Sequence, residues 1–114
     1  MLNATVNIGV IGVGHLGQHH VKHYKKLKST NIIGIYDLDI GRSKEISKTF
    51  GVPCFNKLET LISRVDAVSI VTPTLTHAKI AEYCIRQNVH VFIEKPITTT
   101  VEEAEKILKL ADDL

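Results

Sequence analysis

No run of about 18 consecutive apolar residues occurs anywhere in the 114-residue chain, so nothing in it reads as a membrane-spanning helix. An excess of one charge sign is also missing. Fourteen Lys and Arg stand against twelve Asp and Glu, a net charge of +2 with the histidines neutral. So small and evenly spread a charge argues against a nucleic-acid partner. The N-terminus, Met1-Leu2-Asn3-Ala4-Thr5, lacks the basic patch, apolar stretch and small-residue cleavage site of a secretory signal, which makes the cytoplasm the expected compartment. Only two cysteines are present, Cys54 and Cys84, far apart and without metal-ligand spacing. Free buried thiols in a reducing compartment are their expected state. There is no internal repeat, low-complexity tract or long linker. What remains is an ordinary globular composition, 44% hydrophobic and 23% charged, at the length of one domain.

Apolar strand-like runs alternate with helical patterns along the whole chain. The runs cover residues 6–12, 31–37, a short stretch at 53–55, 66–72 and 90–94. They are nearly continuously apolar and rich in Val and Ile, as strands of a parallel sheet covered on both faces are. Helical patterns fill the gaps. After Gly12, residues Leu16, Val21, Tyr24 and Leu27 fall near one face. Ile46 and Phe50 stand at i,i+4 within residues 40–50. Asn56, with Glu59 three residues on, is expected to cap a short helix carrying Leu58, Leu61 and Ile62. Residues 75–87 form the next helix, which Asn88 can end in the left-handed conformation. Thr100 and Glu103 have capping-box spacing and open a last helix with Ala104, Ile107, Leu108 and Ala111 at i, i+3, i+4, i+7. The fold expected is α/β: a doubly wound parallel sheet of about five strands, in the order 3-2-1-4-5, in three layers. A sixth strand, common in such domains, is missing after the last helix.

The segment GVIGVGHLG holds Gly12, Gly14 and Gly17 in the pattern G-x-G-x-x-G. Its context gives the match weight. It follows a strand, opens a helix, and an acid, Asp37, ends the second strand 20 residues after Gly17. That is the dinucleotide fingerprint of a Rossmann domain. Gly12 permits the tight turn, Gly14 lets a pyrophosphate approach the backbone, and Gly17 lets the helix pack closely. Free N–H groups at the helix start then hold the phosphates. Asp37 would accept hydrogen bonds from the adenosine ribose. Its charge would repel a 2′-phosphate and favour NAD over NADP, a preference that nearby Arg42 could soften. Methyl-donor sites also pair a glycine loop with an acid after strand two, but more often as G-x-G-x-G. Here Leu16 and then Gly17 follow instead.

At Glu94-Lys95-Pro96 the sequence reaches its most specific signal. With GVIGVGHLGQHH, the Tyr36-Asp37 ending, Thr72-Pro73-Thr74 followed by His77, and the stretch HVFIEKPITTTVEEAEKIL, the chain resembles the N-terminal domain of the glucose–fructose oxidoreductase / inositol dehydrogenase family (Gfo/Idh/MocA). The resemblance covers essentially the whole chain. It implies an NAD(P)-binding domain, residues 1–114, of an oxidoreductase that moves hydride between nicotinamide and a sugar, cyclitol or nucleotide sugar. It implies also that the substrate-holding, often oligomer-forming C-terminal domain is absent from this sequence, and with it the usual acid–base histidine and aspartate. A homo-oligomer is therefore a possibility the resemblance raises for the parent protein. Lys95 is the implied catalytic candidate beside the nicotinamide and the substrate, Glu94 the nicotinamide-ribose contact, and Thr72-Pro73-Thr74 a turn lining the cofactor. The Lys95–Pro96 peptide is implied to be cis. Thr74 departs from the family's common Asn, and Arg86-Gln87-Asn88-Val89-His90 from its Ala-Gly-Lys-His. GHLGQHH is similar to members acting on nucleotide sugars, such as those oxidising the 3-position of UDP-N-acetylglucosamine.

The residues themselves agree with this placement. Gly12, Asp37, Thr72 and Glu94 all end expected strands, and open α/β sheets bind ligands at the carboxyl ends of strands. Lys95 beside them could stabilise an alcohol losing its proton as hydride leaves. His15, His19, His20 and His23 crowd the first helix at i,i+4 spacings that could share a zinc ion. No third ligand is evident, so a solvated or partly buried helix face is expected and no metal is assigned. His15, and with it Leu16, lies in the glycine loop, in reach of a pyrophosphate or of a substrate above it. His77 starts a helix near the cofactor, where a structural role stands beside a catalytic one. A non-enzymatic NAD-binding regulatory or sensor module remains an alternative to the dehydrogenase.

Overall fold

A computed structural model describes residues 5–95 and 100–113. Its elements follow one another as β1 (Val6–Ile11), α1 (His15–Lys26), β2 (Thr30–Tyr36), α2 (Ile40–Phe50), α3 (Leu58–Ile62), β3 (Ala67–Ile70), α4 (Thr74–Arg86), β4 (His90–Ile93) and α5 (Val101–Asp113). The strands form one parallel sheet in the order β2-β1-β3-β4. Successive side chains of β1 go to opposite faces. Val10 joins Val13, Val21, Ile35 and Ile46 beneath α1 and α2. Ile11 joins Leu61, Ile70, Ala81 and Ile107 beneath α3, α4 and α5. The two cores make the continuously apolar strand runs intelligible, because the central strands are covered twice. No described helix is long and apolar enough to cross a membrane.

The short run at 53–55 departs from expectation. It is not a strand but a single bridge, Cys54 opposite Ile35. The Ile35 amide donates to the Pro53 carbonyl and the Phe55 amide to the Ile35 carbonyl, both at 2.9 Å. Pro53 has no N–H to carry the ladder further. The bridge lies outside β2, so the expected order 3-2-1-4-5 persists with its third member reduced to one residue.

Helix faces also needed the tertiary structure. In α1 it is Gly17 and Val21, with Tyr24 half-buried, that face the sheet. Leu16 is about half-exposed, being a single residue and so about 100° off that face. Leu27 lies beyond the helix as its extended C-cap. In α5 only Ile107 is buried, while Leu108 and Ala111 are exposed, because the helix packs chiefly on α4 along one face. The cap of α3 is Lys57 rather than Asn56, with no side-chain cap bond, as burial of Leu61 and Ile62 sets the start one residue later. Other termini agree with the sequence. Asn88 takes φ 62° after α4, and the Thr100 hydroxyl accepts from the Glu103 amide at 3.2 Å.

Two outcomes follow from this core. Leu61 is fully buried against Gly9, so Leu61→Ala should cost about 2–5 kcal/mol in chemical denaturation. Cys84 is buried and its thiol is pushed up to about 12 from 9.0 by desolvation. The folded state keeps a proton that the unfolded state loses. The stability this confers is complete below pH 9.0 and is lost as the pH rises toward 12. A thiol reagent at neutral pH should leave Cys84 unmodified until the chain is unfolded, as read by mass spectrometry.

Candidate functional site

The turn from β1 into α1 is built on two glycines that tolerate no side chain. Gly12 has φ 93°, and a Cβ there would come within 2.8 Å of the backbone of Val71 and Thr72. A Cβ on Gly17 would lie 1.9 Å from the Gly12 carbonyl oxygen, so α1 sits directly on the end of β1. Gly14 is different. Nothing comes nearer to its imagined Cβ than an Arg42 guanidinium nitrogen at 3.9 Å. Its side of the turn is open space. Gly14 is also the N-cap of α1, with no side-chain cap and no acid in the first turn. The first amides of the helix have no intrahelical acceptor, and they carry the positive end of the helix dipole.

Beside this open turn lies a cleft of about 460 Å³ lined by Gly12, Gly14, Asp37, Arg42, Thr72 and Pro73, with Leu38, Asp39 and Val71. Asp37 is 8% exposed. Its Oδ2 accepts from the Val13 amide at 2.9 Å and its Oδ1 from the Asp39 amide at 2.8 Å. The carboxylate therefore ties the end of β2 to the glycine turn. Each carboxylate oxygen has a second lone pair, so capacity for a ligand's hydroxyls remains. The Arg42 guanidinium stands 3.9 Å from Oδ2 and is half-exposed. Asp39 caps α2 by accepting from the Arg42 amide at 3.1 Å. Leu38 and Asp39 were not singled out from the sequence. The signal for Asp39 was its position three residues before Arg42, a helix-cap spacing within DLDIGRS.

The far wall is the turn after β3. The Thr76 hydroxyl lies 2.6 Å from both the Thr72 hydroxyl and the Pro73 carbonyl. His77 is 1% exposed, with Nε2 2.7 Å from the Thr72 carbonyl oxygen. A carbonyl only accepts, so that nitrogen carries hydrogen. His77 thus has a structural task, which is to hold the Thr72–Pro73 turn. Thr74 is half-buried as the first residue of α4.

The remaining candidates lie around this cleft. Leu16 and His15 are exposed at the start of α1, and the His15 ring meets that of His19 edge-on at 4.9 Å. Among the described residues, no group of three or more His, Cys, Asp or Glu gathers to hold a metal. Glu94 and exposed Lys95 follow β4, two strands from β1. Glu94 Oε1 is 3.0 Å from His20 Nε2, a contact not visible in the sequence. Pro96, and with it the expected cis peptide, lies outside the described residues.

This arrangement can be set against known proteins. Residues 6–114 match the profile of GFO_IDH_MocA, described as an oxidoreductase family with an NAD-binding Rossmann fold. The chain belongs to the Gfo/Idh/MocA family. Over 105 residues it is 40% identical to a UDP-N-acetylglucosamine 3-dehydrogenase of Acidithiobacillus ferrooxidans, covering 92% of this chain and 33% of that protein. The crystal structure of that dehydrogenase superposes with a TM-score of 0.92 over 99% of this chain and 36% of its own. A myo-inositol 2-dehydrogenase of Thermotoga maritima is 29% identical over 91% of this chain and 32% of its own. A 3-ketoreductase of Actinomadura kijaniata, crystallised with NADP and TDP-benzene, is 27% identical with a TM-score of 0.88, covering 96% of this chain and 34% of its own. This Gfo/Idh/MocA chain is thus an NAD-binding Rossmann domain of an oxidoreductase family, and it spans about a third of the length of the relatives it matches.

The glycines give a test of the turn itself. Gly17→Ala should destabilise the chain by about 3 kcal/mol or more in thermal or chemical unfolding, because the clash is with backbone. Gly14→Ala should change stability by no more than about 0.5 kcal/mol, because its Cβ enters open space.

Proposed function

We propose that this chain is the cofactor half of an NAD-dependent dehydrogenase whose substrate is a sugar-type alcohol, with a nucleotide sugar as the favoured class. The observation that carries the reading is the open side of Gly14 between an uncapped helix N-terminus and the Asp37 carboxylate. A pyrophosphate on the first amides of α1 would be held by backbone donors and by the helix dipole. Adenosine ribose hydroxyls would donate to Asp37, and the exposed side chain of Leu38 would flank the adenine. The same carboxylate disfavours a 2′-phosphate, which supports NAD over NADP. Arg42, near both Asp37 and Gly14, offsets part of that repulsion.

With the adenosine at the end of β2 and the pyrophosphate over β1, the nicotinamide nucleoside extends across β3 and β4. The pinned Thr72–Pro73 turn would border it, with Thr74 behind. Glu94 would accept from its ribose, and Lys95 would lie beside the reacting carbon. Bound NAD supplies the hydride acceptor. The ammonium of Lys95 would stabilise the negative charge on the substrate oxygen as its proton leaves. The proton acceptor and most of the substrate pocket are assigned to a second domain following this one, in keeping with the share of its relatives that the chain spans. The nucleotide-sugar preference rests on the 40% identity to the UDP-N-acetylglucosamine enzyme.

NADH fluorescence titration of the chain tests the reading. Saturable binding is expected, tighter for NADH than for NADPH. Asp37→Ala should weaken NADH by about tenfold or more, the scale of a hydrogen bond to a charged group. Asp37→Asn should narrow the gap between the two cofactors. Equal NADH affinity in Asp37→Ala and wild type would remove the ribose assignment.

A further inference from the structure

The contact between His20 and Glu94 joins residues 74 apart in sequence, yet no part of the pyrophosphate cradle requires it. The two side chains are 14% and 27% exposed. An ionised carboxylate only accepts, so His20 Nε2 donates. The imidazole is held on both sides. Its centroid lies 5.8 Å from the Phe92 ring and 6.3 Å from the Tyr24 ring, which meets it edge-on. Tyr24 is in turn anchored, with its hydroxyl hydrogen-bonded to Ser69 in β3. His20 and Tyr24 stand four residues apart on one face of α1.

This pair differs from the rest of the α1 packing. Over β1 and β2 the helix is held by apolar contact, through Val21 against the cluster of Val10, Val13 and Ile35. Toward β3 and β4 it reaches by two hydrogen bonds, from Tyr24 and from His20. An apolar pair could serve packing as well, since a single partly buried hydrogen bond gives little net stability. The location gives the polar choice another use. Along β4, Phe92 faces His20, Ile93 turns to the opposite core, and Glu94 returns to the α1 side. The carboxylate therefore projects at the carboxyl end of β4, on the side of the helix whose N-terminus opens the glycine turn, next to Lys95.

We propose that His20 is a positioning residue for the nicotinamide half of the cofactor site. By donating to Oε1 it sets the orientation of the Glu94 carboxylate, which still has acceptor capacity for a ribose hydroxyl. The proposal rests on the dinucleotide reading above. It adds a coupling, because α1 both presents the pyrophosphate amides and, about 7.5 Å along its axis, holds the carboxylate that faces the far ribose. One rigid element would thus set the distance between the two grips on the cofactor.

The test compares NADH with ADP, which has the adenosine and diphosphate but no second nucleoside, on the 114-residue chain. His20→Phe keeps a ring between Phe92 and Tyr24 but removes the donor, and His20→Gln keeps an N–H donor. His20→Phe should weaken NADH about tenfold and leave ADP affinity within about twofold, and His20→Gln should recover most of the loss. In a Glu94→Ala background, His20→Phe should cost no further NADH affinity. Equal losses for NADH and ADP, unchanged NADH binding in His20→Phe, or a further loss in the Glu94→Ala background would each overturn the role of His20. Should His20→Phe not fold, failure of a folded His20→Gln to bind NADH near wild-type strength would overturn it as well. A wild-type chain that binds neither ligand would instead overturn the dinucleotide reading beneath it.

Discussion

Helix α1 meets the end of β1 at a distance that admits only glycine. The Gly12 carbonyl and the Gly17 α-carbon are so close that one added methyl group would overlap the oxygen. That contact aims the helix axis at the open face of Gly14 and leaves the first amides uncovered at the carboxyl edge of the sheet. Everything else in the site is arranged around this turn. Asp37 is fastened to it through the Val13 amide, and the turn after β3 packs against it at Gly12. Backbone groups do most of the work, which suits a ligand whose central feature is a diphosphate rather than a distinctive side group.

The groups at the sheet's edge are held by short polar links from the covering helices and their caps. Thr76 and His77 hold the Thr72–Pro73 turn from within α4, and Asp39 caps α2 while donating its amide to Asp37. His20 does the same for Glu94 from α1. In each case a helix that covers the sheet also fixes a group at the sheet's edge. A parallel sheet makes this economical, because every crossover helix begins at the edge where the strands end. The family match covers residues 6–114, and the relatives it brings together differ by name in what they act upon.

Much of this was legible before any coordinates. Four of the five apolar runs are strands, since a strand buried on both faces needs unbroken Val and Ile, and no other element of this length does. The glycine spacing carried the turn, because each glycine answers a local steric demand. The acid at 37 followed from the strand end it occupies. Pro53-Cys54-Phe55 was overread as a strand, since local apolar character does not reveal how many ladder partners a segment will find. Leu16 and Leu27 do not share the buried face of Val21 and Tyr24, which is set instead by Gly17, whose lack of a side chain lets the helix touch the sheet.

By itself, then, the sequence determined the alternation of elements, the parallel sheet and the chemistry of the glycine turn, all of which depend on neighbours a few residues apart. The tertiary structure alone decided which groups are held and by what. The grip of His20 on Glu94 spans 74 residues, and the bond from Val13 to Asp37 spans 24. Such pairs leave no periodic trace in the chain. They exist because crossover connections bring strand ends and helix faces together in space, and only the folded backbone specifies that distance.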